Sequence, residues 1–433
     1  MTGPCVMRLS SYTRFVEMCD NTLVVSLLTQ SVFRVSNSMA RLLQSNRNSL
    51  ETESFDDKSL LKALLSSLAI VPYGFDEVTW MKEQHVEARK QREVLSITIA
   101  PTMSCNMSCH YCFQEHHPRK LDSGNYDFIE DYIREQLPGY QRLHVQWFGG
   151  EPLLDLPAIE GLSRRLTDLA NRIDANFSAE LITNGTLLSR QTAERLAALG
   201  ICEVQITLEG PRETHDRIRR NKSGNGSFDD ILKNARSASL HMNVAARIHL
   251  APYTVDKIHA LLEMLHNEKM QQVFKQLYFA PLFDYRPHEG AKRFESDDKR
   301  FFTSVAFAEA QSPLIAYAKK LGFNTNDPLD SSYGLCFAMQ DGSLVLDQEG
   351  QTYKCYLDAG NSEYSLGNVA DAPLPPSKWD KYDFLSDSEC SQCDFLPVCL
   401  GGCPKQRMQN SPKETVCTPL KYNFDERMRA EYL

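Results

Sequence analysis

From Val94 onward the chain alternates between short runs rich in β-branched and aliphatic residues and longer stretches in which apolar residues return every three or four positions. The runs are VLSITIA, RLHVQWF, AELIT, EVQITL, AARIHL and QLYFA; with the helical stretches between them they make six β/α units. That alternation predicts an α/β fold with a parallel sheet curled toward a barrel, whose ligand site lies at the carboxyl ends of the strands. The pattern before Val94 is different. RLSSYTRFVEMCDNTLVVSLLTQSVFRVSNSMARLLQS alternates apolar and polar residues in runs broken by CDN and TQS, then turns helical, which predicts a small antiparallel hairpin or meander. DDKSLLKALLSSLAIVPYGF, with an Asp in N-cap position, completes a compact unit at residues 1–75, followed by a linker at 76–92 and the β/α core at 93–285. After Tyr285 a charged stretch, RPHEGAKRFESDDKR, and a helix-like one form a bridge at 286–332 into a cysteine-rich tail at 333–433.

Composition narrows the class. A chain of 433 residues with 42% hydrophobic and 24% charged residues is ordinary for a globular protein of several domains. No apolar stretch is long enough to span a bilayer, and MTGPCVMRLSSYTRF lacks the apolar core of a secretory signal, so a cytoplasmic location without membrane association is expected. The net charge of -9 offers no basic footprint for a phosphate backbone, which argues against nucleic acid as a partner. Thirteen cysteines in such a chain point to metal binding rather than disulfides. Ten of them fall in groups: Cys105, Cys109 and Cys112; Cys336 and Cys355; then Cys390, Cys393, Cys399, Cys403 and Cys417. Cys5, Cys19 and Cys202 stand apart and read as small apolar fillers.

The first group sits in SCNMSCHYCF, at the end of the first strand of the core. Positions i, i+4 and i+7 also share a helix face, but Asn106, Ser108, His110 and Tyr111 make the stretch a polar loop rather than a core seam. Structural zinc requires four closed ligands, for which His110, His116 and His117 are the nearby fourth candidates. Three thiolates alone suit a 4Fe-4S cluster with one iron left open. Further polar turns close the next three strands: GGEP at Gly149–Pro152, TNG at Thr183–Gly185 and EGP at Glu209–Pro211.

CxxxCxxC in this position resembles the hallmark of the radical S-adenosylmethionine (SAM) superfamily, whose core is a partial (β/α)6 TIM-like barrel. The resemblance implies that Cys105, Cys109 and Cys112 hold a 4Fe-4S cluster whose open iron is chelated by S-adenosyl-L-methionine, the source of a 5'-deoxyadenosyl radical. It implies that Gly149, Gly150 and Glu151 form the glycine-rich turn, with Glu151 accepting from the methionyl ammonium, and that Thr183, Asn184 and Thr207 contact the cofactor. Tyr111 would lie against the adenine, mostly through its backbone, and Arg219 of HDRIRR would pair with the cofactor carboxylate. The family often carries Ser and Asp where this chain has Thr207 and Glu209, so no role passes to Glu209.

The tail resembles the seven-cysteine SPASM pattern of peptide-modifying radical enzymes, with zinc knuckles as the alternative for Cys390 and Cys393. By that resemblance Cys390, Cys393, Cys399 and Cys417 hold a distal 4Fe-4S cluster, and Cys336, Cys355 and Cys403 hold one nearer the active site, for three clusters in all. The N-terminal unit resembles the winged-helix-like recognition domain, related to the small pyrroloquinoline-quinone chaperone, that binds leader peptides. The expected function is therefore a RiPP maturase, acting on a ribosomally made precursor peptide with a leader and forming a carbon-carbon or thioether crosslink. A reducing donor such as flavodoxin or ferredoxin would supply electrons. Tyr356, Asp358 and Glu115 are the candidate proton acceptors. Two alternatives are an anaerobic sulfatase maturase, which typically carries Asp where this chain has Tyr356, and a non-catalytic iron-sulfur protein that relays electrons or binds peptide.

Overall fold

The computed structural model describes residues 6–282, 301–329, 336–409 and 413–432. Cys5 and the charged stretch 286–300 lie outside them. The N-terminal unit is built on an antiparallel meander of β2 (Thr13–Glu17), β3 (Thr22–Ser26) and β4 (Ser31–Val35), while β1 (Met7–Leu9) pairs with β5 (Ile70–Pro72). Between them run α1 (Asn37–Ser45), capped by the Ser36 hydroxyl, and α2 (Lys58–Ser66), whose first turn donates Ser59 N–H and Leu60 N–H to Asp57. Leu9, Val24, Leu43, Leu64 and Ile70 close a core between sheet and helices.

The stretch expected to be a linker at 76–92 contains a helix, α3 (Glu77–Arg89), because the Asp76 carboxylate caps it by accepting from Thr79 N–H. The buried Glu77 carboxylate then ties it back to Arg8 at 3.0 Å.

The core follows the predicted alternation. β6 (Val94–Ile99), β7 (Arg142–Trp147), β8 (Asn176–Ile182), β9 (Ile201–Leu208), β10 (Asn243–Leu250) and β11 (Phe274–Pro281) lie side by side in chain order and all run parallel. Ile97, Val145, Leu181, Ile206, Ile248 and Leu277 face the crossover helices and are fully buried. Thr98, Gln146, Glu180, Gln205, Arg247 and Tyr278 alternate with them and line the inner face, giving a partial barrel with a polar concavity.

The sheet has two more strands than the repeat foretold. β12 (Ser343–Leu346) from the tail pairs parallel with β6, and β13 (Thr352–Tyr353) pairs antiparallel with β12, giving an eight-stranded sheet. The cysteine-rich part is thereby stitched to the edge of the barrel that carries the first cysteine loop.

The rest of the tail is short helical turns ending in the helix Leu420–Tyr432. Its Phe395, Leu396, Phe424 and Met428 share one core with Tyr12, Val16 and Leu23 of the N-terminal meander. Arg14 pairs with Asp394 at 2.5 Å and Arg34 donates to the Tyr432 carbonyl at 2.7 Å across the same seam. Cys19 and Cys202 are exposed, which corrects their reading as apolar fillers: each lies on a surface-facing position of a turn or strand rather than in a core. No helix among the described residues is long and apolar enough to cross a membrane.

Candidate active site

The loop after β6 carries Cys105, Cys109 and Cys112, all free and none of them exposed. Backbone bonds hold it at both flanks. Ser108 N–H donates to Arg220 O at 2.9 Å and Lys222 N–H to Asn106 O at 2.9 Å, while Glu151 N–H donates to Ser104 O at 2.8 Å. The glycines of GGEP serve that last contact: a Cβ on Gly150 would lie 2.5 Å from the Met103 carbonyl oxygen. Close approach here is between two loops of the chain itself.

The three thiols sit in a desolvated setting. Burial pushes Cys105 up to about 11 and raises Cys109 and Cys112, and the Arg219 guanidinium opposes the rise at each. His116 Nε2 lies 3.7 Å from Cys112 Sγ. Yet among the described residues no three His, Cys, Asp or Glu side chains converge as the ligands of a single ion would. Three cysteines in one loop suit a 4Fe-4S cluster with one iron left open.

Glu151 is fully buried and ties the second and third turns together. It accepts from Leu153 N–H at 3.0 Å, Asn184 N–H at 2.8 Å and Thr183 Oγ1 at 2.8 Å. Three donors leave one of its roughly four acceptor directions open. Burial raises its pKa, as expected of a carboxylate that has donors but no cation in contact, and an ammonium would meet that need. Asn184 also reaches the cysteine loop, donating to Asn106 Oδ1 at 2.8 Å. Thr207, nearly buried, points from β9 into the concavity.

Arg219 donates to the Tyr111 hydroxyl at 2.6 Å and lies 3.5 Å from Glu209; the Tyr111 hydroxyl donates to Glu209, and His249 Nδ1 is 2.9 Å from the same carboxylate. Burial would raise Glu209, but His249, Arg219 and Tyr111 together hold it down to about 2. The HDRIRR run is no solvated loop. His215 is fully buried and Asp216 accepts from Ser227 N–H at 2.8 Å and Phe228 N–H at 2.9 Å, which sets the following helix. Arg219 Nε is buried without a partner among the described residues, a vacancy suited to an anionic ligand group.

Comparison with known proteins decides the class: residues 99–265, from the end of β6 through four β/α units, match the Radical SAM superfamily. The chain is a radical SAM enzyme. It is 26% identical over 347 residues to the Fe-coproporphyrin III synthase of Methanosarcina barkeri, covering 69% of this chain and 80% of that one. It is 24% identical to a serine-type anaerobic sulfatase-maturating enzyme of Klebsiella aerogenes (70% and 77% covered) and 22% identical to the radical SAM cyclopropyl synthase TigE of Paramaledivibacter caminithermalis (77% and 74%). Among solved structures, anSMEcpe with bound AdoMet has a TM-score of 0.60 at 17% identity over 78% of this chain and 97% of that one. SuiB of Streptococcus suis bound to its precursor peptide SuiA has a TM-score of 0.51 at 16% identity over 95% and 99%.

A radical SAM enzyme carries a 4Fe-4S cluster and S-adenosylmethionine, which together supply a 5'-deoxyadenosyl radical. Cys105, Cys109 and Cys112 would hold the cluster here, with Glu151, Asn184, Thr207 and Arg219 around the cofactor.

The other seven cysteines of this radical SAM enzyme form two thiol groups. Cys355 feels the charges of Cys336 and Cys403, while Cys399 feels those of Cys417, Cys393 and Cys390. A left-handed turn at Leu400, Gly401 and Gly402 lies between Cys399 and Cys403. Arg407 reaches Cys390 Sγ at 3.5 Å.

The three candidate proton acceptors fare differently. Asp358, nearly fully buried, is paired with the buried Lys405. The Glu115 side chain is 75% exposed and lies 3.8 Å from His117. Tyr356 packs its ring 5.5 Å from Phe148; surrounding protein pushes its phenol up to about 12, against the pull of Arg247, so it keeps its proton at neutral pH. None of the three is an uncommitted buried base. A small cleft lies between Phe113, Gln114 and Glu115 of the first loop and Leu357, Ala359 and Asn361 beside Lys405. His249 and Asn106 were missed by sequence reasoning. Polar residues near strand ends were the available signal, but neither belongs to a motif.

Proposed function

We propose that this enzyme is a maturase of a ribosomally made precursor peptide, whose leader binds the N-terminal unit and whose core is crosslinked through a carbon-carbon or thioether bond. One observation carries the reading: the meander of residues 13–35 shares a hydrophobic core with the cysteine-rich tail, so a peptide held there is within reach of the mouth of the barrel. The likeness to SuiB with SuiA, which extends over 95% of this chain, favours the same reading. S-adenosylmethionine on a 4Fe-4S cluster held by Cys105, Cys109 and Cys112 would supply the radical that removes one hydrogen atom from an unactivated carbon of the peptide. Cys336, Cys355 and Cys403, and Cys390, Cys393, Cys399 and Cys417, would hold two auxiliary 4Fe-4S clusters able to take up the electron released, with a proton, when the crosslink forms. Flavodoxin or ferredoxin would reduce the first cluster.

Formylglycine formation is the second reading, supported by the likeness to sulfatase-maturating enzymes. It is weakened by Tyr356 in the position of the expected acid and by the commitment of Asp358 to Lys405.

The test is anaerobic reconstitution with iron and sulfide, then reductant and S-adenosylmethionine, with 5'-deoxyadenosine read by chromatography. Coexpression with a candidate precursor peptide should yield a product lighter by two hydrogens, with blocked thiol labelling if the bond is a thioether. Full iron content without 5'-deoxyadenosine would overturn the reaction. An aldehyde in place of the crosslink would favour the second reading.

A further inference from the structure

The inner face of the sheet carries a cation that the cofactor cleft does not use. On β10, Ala246 and Ile248 join the helix-side core, so Arg247 projects into the concavity. Its partners in register are Thr207 on β9 and Tyr278 on β11. The next inward residue toward the mouth, His249, is engaged with Glu209. Arg247 therefore stands on the inner face beside the cofactor cleft, flanked by Thr207 and Tyr278.

The acids nearby are taken. Glu209 serves His249, Tyr111 and Arg219, while Glu180 accepts from Gln146 and lies 3.7 Å from His144. Arg247 Nε is buried and has no acceptor among the described residues. A charged donor held in that condition is costly, and the cost is tolerated where a ligand brings the acceptor. The Nε edge of a guanidinium is a fork that matches the two oxygens of a carboxylate.

We propose that Arg247 binds a carboxylate of the peptide substrate, from an acidic side chain or the C-terminus, and so positions the peptide on the inner face between Thr207 and Tyr278. The inference rests on the peptide-modifying reading above. Selection is local, because a chain of net charge -9 does not attract acidic peptides by its overall field. The residue to be modified would lie close in sequence to the anchored acid.

The test uses reconstituted holoenzyme with S-adenosylmethionine on arrays of short random synthetic peptides, each made with a free or an amidated C-terminus. Wild type should retain peptides containing Asp or Glu, or those ending in a free acid, about tenfold or more over their neutral counterparts. R247Q should lose that preference, R247K should keep part of it, and R247E should turn it toward Lys and Arg. Iron content and the visible absorption of the clusters establish that each variant is assembled. Preference for internal acids identifies the side chain and preference for the free end identifies the terminus; either supports the assignment. Retention of peptides without acidic bias by wild type, or of the same set by R247E, would overturn it. So would a loss of S-adenosylmethionine affinity in R247Q with peptide selection unchanged. Retention of no peptide of any charge by wild type would overturn the peptide reading itself, and this assignment with it.

Discussion

Replacing Gly150 by alanine asks whether the cysteine loop is held in place by the turn that follows β7. A Cβ there would lie 2.5 Å from the Met103 carbonyl oxygen and 2.6 Å from the Ser104 carbonyl carbon, and closer still to the Ser104 oxygen. All are backbone atoms, so no side chain can swing aside. The turn has to retreat, which breaks the bonds from Glu151 N–H to Ser104 O at 2.8 Å and from Gly150 N–H to Thr102 O at 3.2 Å. Two such bonds contribute about 0.5–1.5 kcal/mol each and overpacking costs about 1–3 kcal/mol, a loss of about 2–6 kcal/mol. In a domain of this size each kcal/mol lowers Tm by about 2–4 °C, so the variant should melt about 5–20 °C lower. Circular dichroism on metal-free protein is the assay, since it separates the loop's packing from cluster assembly. Gly224→Ala is the control: its φ is +86° and no atom lies within 4 Å of the new Cβ, so only the left-handed backbone is penalised, at about 1 kcal/mol. A G150A variant melting no lower than G224A would refute the reasoning.

The Glu209 carboxyl, held down to about 2 despite its burial, contributes stability that is present above its unfolded pKa and lost as pH falls toward 2. Between pH 5 and 3 wild-type Tm should therefore fall more steeply than that of Glu209→Gln; parallel curves would count against the network. Asp358→Asn removes the carboxylate paired with Lys405 in a site where the lysine side chain is 7% exposed, and urea unfolding should report a loss of about 3–5 kcal/mol. Asp358→Asn combined with Lys405→Met should recover most of that loss. Arg407→Gln removes a positive donor 3.5 Å from Cys390 Sγ, and redox titration followed by electron paramagnetic resonance should find a more negative potential for the auxiliary cluster proposed at Cys390.

The cysteine loop, the glycine turn and the six parallel strands were legible because each is local. A strand shows itself by its alternation, and CxxxCxxC by spacing within one loop. The pairs that complete the site were not legible. Glu209 meets His249 across 40 residues and Arg219 meets Tyr111 across 108, and no local pattern links such partners. The helix at Glu77–Arg89 was missed for a different reason: its Asp76 cap is local, but Val78, Trp80, Met81 and Val86 do not repeat as one apolar helical face.

By itself, the order of residues determined which side chains carry the chemistry: three thiols at one strand end, seven in the tail, and polar turns after the following strands. It also determined that the strands run parallel, since each is separated from the next by a helix-length crossover. Only the tertiary structure decided what those groups face. It folded β12 against β6 to bring the tail to the barrel, committed Asp358 to Lys405 and left Arg247 Nε without an acceptor among the described residues. The physical reason is that a residue type fixes the donors, acceptors and charge a group owns, whereas burial and partners fix which of them remain to be satisfied, and these exist only when distant segments are packed together.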